Sequence, residues 1–158
     1  MTGYVIAPRT ADAVPSLGYR IARWFRGMSR RPAVWLGIAL GGVELANPGP
    51  FDPTGPRAWI LPLLALAYLV FAVVQSRPRR PSVLWLQAIG FFTFTAVALT
   101  GLIVDPGVGR YVIAAGWLGH AVWDLAHRDG RVVPRWYVEF CVPVDVLIAC
   151  SLLIAPML

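Results

Sequence analysis

The feature that most constrains how this chain can fold is a series of five apolar segments, separated by short links rich in Pro, Gly and Arg. The segments cover approximately residues 33–48, 57–76, 82–104, 110–127 and 135–157. About 20 helical residues are needed to cross about 30 Å of hydrocarbon, and most segments approach that length. We therefore predict an all-α, polytopic membrane helix bundle with about five transmembrane helices. The first segment is short, so a four-span arrangement in which it is re-entrant or lies flat stays open.

Composition excludes a disordered protein and argues against a water-soluble globule. Charged residues make up 14% and hydrophobic residues 58% of the 158 residues, whereas charged residues are about 25% of an average globular chain. All 14 basic residues are arginine, and the net charge is +6. They lie between apolar stretches rather than on one polar surface, so we expect no nucleic-acid partner. The expected partners are membrane lipids and a hydrophobic small molecule, and the oligomeric state stays open.

The distribution of arginines predicts the orientation of the spans. Twelve of them lie before the first segment, between the second and third segments, or between the fourth and fifth. The two remaining links hold only Arg57 and Arg110. Basic residues are retained on the cytoplasmic side of a membrane. We therefore predict a multi-pass protein of the bacterial inner membrane with its N-terminus in the cytoplasm and its C-terminus outside.

Residues 16–31 have the pattern of an amphipathic helix lying in the headgroup layer, with arginines opposite an apolar stripe. The stripe consists of Leu17, Ile21, Trp24 and Met28. The alternative interpretation is an ordinary basic flank of the first span. We accordingly divide the chain into a cytoplasmic N-terminal segment, 1–31, and a five-helix transmembrane domain, 32–158.

Five ionisable residues stand out within the apolar segments, because an ionisable group costs about 2.5–3.5 kcal/mol near the membrane centre and so needs a reason. They are Glu44, His120, Asp124, Glu139 and Asp145. Helical spacing puts His120, Asp124 and His127 on one face of the fourth segment. Counting depth from the predicted cytoplasmic ends also brings Gln87 of the third segment near them. We expect these groups to form one polar cavity open to the cytoplasmic half.

This set of side chains favours acid/base chemistry on a lipid or isoprenoid. A carboxyl group in a dry pocket can donate a proton at neutral pH, and a neighbouring imidazole can accept one. We assign Asp124 and Glu139 as the proton-handling pair, with His120 orienting or reprotonating one of them. Asp145 and Glu44 are secondary. Aromatic residues expected to line the cavity and stabilise a carbocation through their π faces are Trp117, Trp123, Trp136, Tyr137 and Phe140.

Several alternatives stay open. The polar groups could be purely structural, with Asp124 paired to Arg128 or Arg135 and His120 bonded to Glu139. The protein could instead be a proton-coupled carrier, in which Glu44 matters as much as Asp124, or a non-catalytic subunit of a membrane complex. We expect no metal ion and no cofactor. His120 and His127 are about 10 Å apart along a helix axis, too far for one ion to bind both.

Residues 120–145 carry the pattern H-x-x-W-D-x-x-H, then P-x-W-Y-x-x-F-C and a later Asp. This segment resembles a group of small bacterial polytopic membrane proteins of uncertain function. The matching positions are His120, Trp123, Asp124, His127, Pro134, Trp136, Tyr137, Phe140, Cys141 and Asp145. More distantly, the chain is similar in type to sterol isomerases of the emopamil-binding kind and to small integral-membrane terpene cyclases. That likeness implies membrane-bound cyclisation or isomerisation and assigns no individual residue.

Overall fold

The computed structural model describes residues 31–75 and 81–154, together with Gly27. All regular structure in these ranges is helical, which confirms the predicted all-α fold with five helices. The helices are α1 (Pro32–Ala46), α2 (Pro56–Gln75), α3 (Pro81–Ile103), α4 (Pro106–Ala126) and α5 (Arg135–Ile154). The amphipathic helix predicted over 16–31 falls almost entirely outside the described residues.

Three of the described helices are long and apolar enough to cross a membrane. They are α2 over Pro56–Val74, α3 over Pro81–Ile103 and α5 over Arg135–Ile154. Helix α1 is apolar but has only 15 residues. Helix α4 has 21 residues, but Arg110, His120 and Asp124 lower its hydropathy. By length and composition, three of the five predicted spans therefore meet the requirement.

Helix α4 begins at Pro106, one turn before the predicted start at residue 110. The Asp105 side chain caps this end by accepting a hydrogen bond of 2.8 Å from the Gly107 N–H. Proline suits the first helical position because it has no N–H to leave unsatisfied. The cap and the proline extend α4 beyond the point where its apolar pattern starts.

A tight turn shapes the link between α1 and α2. The Thr54 hydroxyl and backbone N–H donate to Asp52 Oδ1 at 2.7 and 2.8 Å. These bonds favour the ionised carboxylate and hold the pKa of Asp52 below its ordinary value. The turn therefore keeps a negative charge in this link.

Helix α4 is the central element of the bundle. It packs against α2, α3 and α5, while α1 packs mainly against α5. The described residues from Arg31 onward form one compact unit. Because α4 contacts three other helices, its polar side chains can pair with side chains of its neighbours. This position explains why the least apolar of the five helices lies inside the bundle.

Glycines allow α1 to approach α5 closely. A Cβ at Gly37 would lie 2.8 Å from Pro143 Cγ and would also meet the Phe140 backbone carbonyl. A Cβ at Gly41 would lie 2.7 Å from Leu147 Cβ. Small residues at helix interfaces let backbones approach closely, and these two glycines are where α1 packs tightly against α5.

A similar contact positions a ring near the centre of the bundle. The Trp123 indole of α4 lies directly over Gly90 of α3, where an added Cβ would be 2.7 Å from the ring. Only glycine leaves room for the indole at this depth. The contact holds Trp123 between α3 and the end of α4, beside the groups described below.

The outward faces of the described helices are apolar, whereas several polar side chains are buried. Trp85 is 70% exposed and Ile103 is 80% exposed. His120, Asp124 and Asp145 are 0% exposed. This distribution is the reverse of that in a water-soluble protein, where charged groups are almost never fully buried unless paired.

Candidate functional site

Three ionisable side chains converge at the centre of the bundle. His120 and Asp124 lie one turn apart on α4, and Asp145 reaches them from α5. His120 Nδ1 is 2.9 Å from Asp145 Oδ2 and 3.7 Å from Asp124 Oδ1. All three side chains are closed off from solvent. With Tyr68, which bonds to Asp124, they form what we call the polar cluster.

Tyr68 of α2 is a member of the cluster that was not expected from the sequence. Its hydroxyl donates a 2.6 Å hydrogen bond to Asp124 Oδ1. Its ring makes edge contacts with His120 and Tyr137, at centroid distances of 5.9 and 5.7 Å. The signal that could have found it was a phenol in the middle of an otherwise apolar helix, where a buried hydroxyl needs a partner.

A second polar pair lies where α4 ends. His127 Nδ1 is 2.8 Å from the Trp123 carbonyl oxygen, and Gln87 Nε2 is 3.0 Å from His127 Nε2. The Tyr68 ring connects this pair to the other members of the polar cluster, because it contacts both His120 and His127. The predicted approach of Gln87 to the column of polar residues on α4 is therefore confirmed.

Four buried polar atoms at the site have no hydrogen-bond partner among the described residues. They are Gln87 Oε1, His120 Nε2, Asp124 Oδ2 and Asp145 Oδ1. An unpaired buried polar atom costs about 1–3 kcal/mol. Several such atoms at one place are a recurrent property of sites that bind a ligand or transfer a proton.

Aromatic rings surround the polar cluster, as predicted, although the set differs from the expected one. Phe94 of α3 stands edge-on to His120 with a centroid distance of 5.1 Å, and it also contacts Trp123. Tyr137 contacts Tyr68. The structure therefore adds Phe94 and Tyr68 to the aromatic residues expected from the sequence.

The other predicted aromatic residues lie in different surroundings. Trp117 is fully buried, and its Nε1 donates to the Arg57 carbonyl oxygen at 2.9 Å. Phe140 is partly buried and packs against both apolar core clusters of the bundle. Trp136 is 57% exposed, so its side chain does not line a cavity around the polar cluster.

The structure does not bring Glu139 and Glu44 to the polar cluster. Glu139 forms an ion pair with Arg31, and Glu44 forms one with Arg57. Glu139 and Asp145 point to different partners because six residues turn an ideal helix by about 120° from a shared face. The pairing of Asp124 with Glu139 expected from helix depth is therefore corrected to Asp124 with Tyr68.

We expect Glu139→Gln to change stability by no more than about 1 kcal/mol, because half-exposed ion pairs contribute little. The Arg31 side chain is 49% exposed and that of Glu139 is 20% exposed. Thermal unfolding of the variant and the wild type in the same detergent measures the difference. A loss of several kcal/mol would contradict the assignment of Glu139 to a peripheral pair.

The side chains of His120, Asp124 and Asp145 also form a potential ligand set for a metal ion. Each offers one ligand atom, and these atoms lie within 4.8 Å of one another. An imidazole and two carboxylates suit a divalent transition metal. The distance between His120 and His127 argued against a metal from the sequence, but Asp145 of α5 completes a different set with His120 and Asp124.

Comparisons with known proteins identify no relative. No model of a known protein family matches the chain, and neither a curated protein nor a solved structure matches it at a significant level. The class that the fold and site define is therefore a five-helix bundle with apolar outer faces and a buried His/Asp/Asp/Tyr cluster.

Proposed function

We propose that this chain is a multi-pass protein of the bacterial inner membrane and an enzyme that acts on a lipid or isoprenoid by acid/base catalysis. Three helices long enough to span and the apolar outer faces support the membrane assignment. The excess of arginine before the first segment and in alternate links supports a cytoplasmic N-terminus. Helix α4, shielded by its neighbours, would cross the membrane as an interior span, at about 1.5 Å per residue over 21 residues.

The observation that carries the enzyme proposal is the bond between His120 and Asp145. Asp145 Oδ2 lies 2.9 Å from His120 Nδ1, while His120 Nε2 has no partner among the described residues. In this proposal Asp145 is ionised, and because an ionised carboxylate only accepts, Nδ1 would carry the proton and Nε2 would present its lone pair. A carboxylate that orients an imidazole in this way leaves the other ring nitrogen as a general base.

Asp124 supplies the complementary acid. Its Oδ1 accepts from Tyr68, and its Oδ2 has no partner among the described residues, so a proton on Oδ2 is available to a substrate. Transfer of that proton to an alkene carbon forms a C–H bond and leaves a carbocation, which the surrounding rings stabilise. Loss of a proton from a neighbouring carbon to His120 Nε2 then forms the new double bond, and the enzyme returns to its starting state when His120 gives up this proton and Asp124 regains one. The net result is isomerisation, or cyclisation when another alkene of the substrate attacks the cation first.

Incorporation of deuterium from D₂O into lipids tests the proposed proton transfer without requiring that the substrate be known. The full chain in lipid nanodiscs would be incubated in D₂O with geranylgeraniol and with a bacterial membrane lipid extract. We expect mass spectrometry to show deuterium at non-exchangeable carbon positions. Asp124→Asn should lower the rate by about 100-fold or more, since general acid/base groups contribute about 10²–10⁴-fold.

Asp129→Asn is the matched control, because it makes the same chemical change at an exposed link residue paired with Arg131. It should retain the wild-type rate. Wild-type protein that incorporates no deuterium into any lipid would overturn the enzyme proposal in favour of a carrier or a complex subunit. A fully active Asp124→Asn protein would overturn the assignment of Asp124 as the acid.

A metal-dependent enzyme is the second candidate, and the three converging ligand atoms favour it. Elemental analysis of protein purified without chelator distinguishes the two candidates. Acid/base catalysis predicts substoichiometric metal and activity that survives chelation. About one divalent ion per chain, lost in both Asp124→Asn and Asp145→Asn proteins, would support the metal-dependent enzyme instead.

A further inference from the structure

The amide of Gln87 has a defined orientation, which is set through two hydrogen bonds. The Trp123 carbonyl can only accept, so His127 Nδ1 donates to it across 2.8 Å. In the neutral ring, His127 Nε2 is then an acceptor. The Gln87 NH₂ group therefore donates to His127 Nε2 across 3.0 Å, and Gln87 Oε1 is the part of the amide left over.

Gln87 Oε1 is consequently a buried hydrogen-bond acceptor that has no partner among the described residues. The residue is 1% exposed, and no described residue donates to this oxygen. The amide cannot turn over to relieve it, because its oxygen would then face the lone pair of His127 Nε2. Only a group that brings a hydrogen-bond donor can satisfy the site.

The surroundings indicate which donor fits. Gln87 is neutral, and its partner His127 lies against the aromatic rings of Trp123 and Tyr68, at centroid distances of 5.0 and 5.2 Å. An ammonium group would be drawn to the carboxylates of Asp124 and Asp145 instead. A neutral hydroxyl on an otherwise apolar molecule matches a single neutral acceptor among aromatic rings.

We propose that Gln87 binds the hydroxyl group of an isoprenoid alcohol. This inference rests on the proposed function, because it names the class of substrate that the same site would bind. Along α4, His127 is one turn from Asp124 and two turns from His120, which is about 5–10 Å. A hydroxyl held by Gln87 therefore leaves the apolar chain of the ligand to extend along α4 towards the polar cluster.

Binding of geranylgeraniol and of its methyl ether, which lacks the donor, tests the inference. Affinities would be measured by thermal shift of the full chain in nanodiscs at a series of ligand concentrations. We expect the wild type to prefer the alcohol by about 10-fold or more, because the ether leaves Gln87 Oε1 unpaired. Gln87→Met, similar in length but without a polar group, should lose this preference by binding the alcohol more weakly.

Two further variants make the result specific. Gln87→Glu keeps an acceptor at this position, provided that one proton is shared between its other oxygen and His127 Nε2, and it should retain the preference for the alcohol. Thr95→Val removes a hydroxyl of α3 that bonds to the Phe91 carbonyl, and it should behave as the wild type. Equal affinities of the wild type for both compounds, or no binding of either, would overturn the proposal, as would a preference that survives Gln87→Met.

The two proposals can fail separately. A wild-type preference for the alcohol that depends on Gln87, without deuterium incorporation, would mean that the protein binds an isoprenoid alcohol but does no acid/base chemistry on it. Deuterium incorporation without such a preference would leave the enzyme and remove the role of Gln87.

Discussion

Replacing Asp145 with asparagine is expected to lower deuterium incorporation by about 10²–10⁴-fold while the bundle stays folded. The reason is the tautomer of His120. In the proposed mechanism the Asp145 carboxylate, 2.9 Å from Nδ1, keeps the proton on that nitrogen. An asparagine amide at this position can donate to Nδ1, which favours a proton on Nε2 instead. Nε2 then has no lone pair to accept a proton from substrate.

Nitrogen NMR reports which ring nitrogen of His120 carries the proton. This signal would not change if Asp145 had only a structural role. The chain has only two histidines, so ¹⁵N-histidine labelling yields four ring-nitrogen signals. We expect Asp145→Asn to exchange the protonated and unprotonated assignments of His120 and to leave those of His127 unchanged. Asp129→Asn should change neither ring. Unaltered His120 signals together with wild-type activity would remove Asp145 from the site.

The largest expected effect on stability comes from Gly37→Ala, which should destabilise the bundle by about 1–3 kcal/mol. The new methyl group would meet the Phe140 backbone carbonyl and Pro143 Cγ, the latter at 2.8 Å. Backbone atoms and a proline ring cannot move aside as the end of a flexible side chain can. Helix α1 must therefore shift away from α5 over the whole length of their contact.

Gly42→Ala is the control for this prediction, because a Cβ at Gly42 meets nothing within 4 Å. Alanine has the higher helix propensity, so this variant should equal or exceed the wild type by up to about 1 kcal/mol. Thermal unfolding followed by circular dichroism in one detergent compares the three proteins. Equal destabilisation by both substitutions would show that α1 is sensitive to any added methyl group, and that the contact with α5 is not the cause.

The number of helices could be predicted from the sequence because five apolar segments are separated by links rich in Pro, Gly and Arg. Helix α3, expected over 82–104, is found at Pro81–Ile103. The predicted start of α4 was less accurate, because the first turn of this helix depends on the cap formed by Asp105 rather than on apolar residues. Local hydrogen bonds of this kind extend a helix beyond its hydrophobic pattern.

The column of His120, Asp124 and His127 could also be predicted, since helical periodicity alone puts these residues on one face. Periodicity does not say which residue of another helix meets that face. Equal depth suggested Glu139 as the partner of Asp124, but depth ignores rotation about the helix axis. Glu139 consequently pairs with Arg31, while Asp145, six residues further along α5, reaches His120.

The sequence by itself determined the helical class, the number of helices and the column of polar residues on α4, because each depends on residues close together in the chain. Only the tertiary structure decided that Tyr68 and Asp145 complete the cluster and that Gln87 meets His127. These pairings depend on the rotation and spacing of separate helices. Packing of glycines against neighbouring backbones and rings sets that geometry, and no local pattern encodes it.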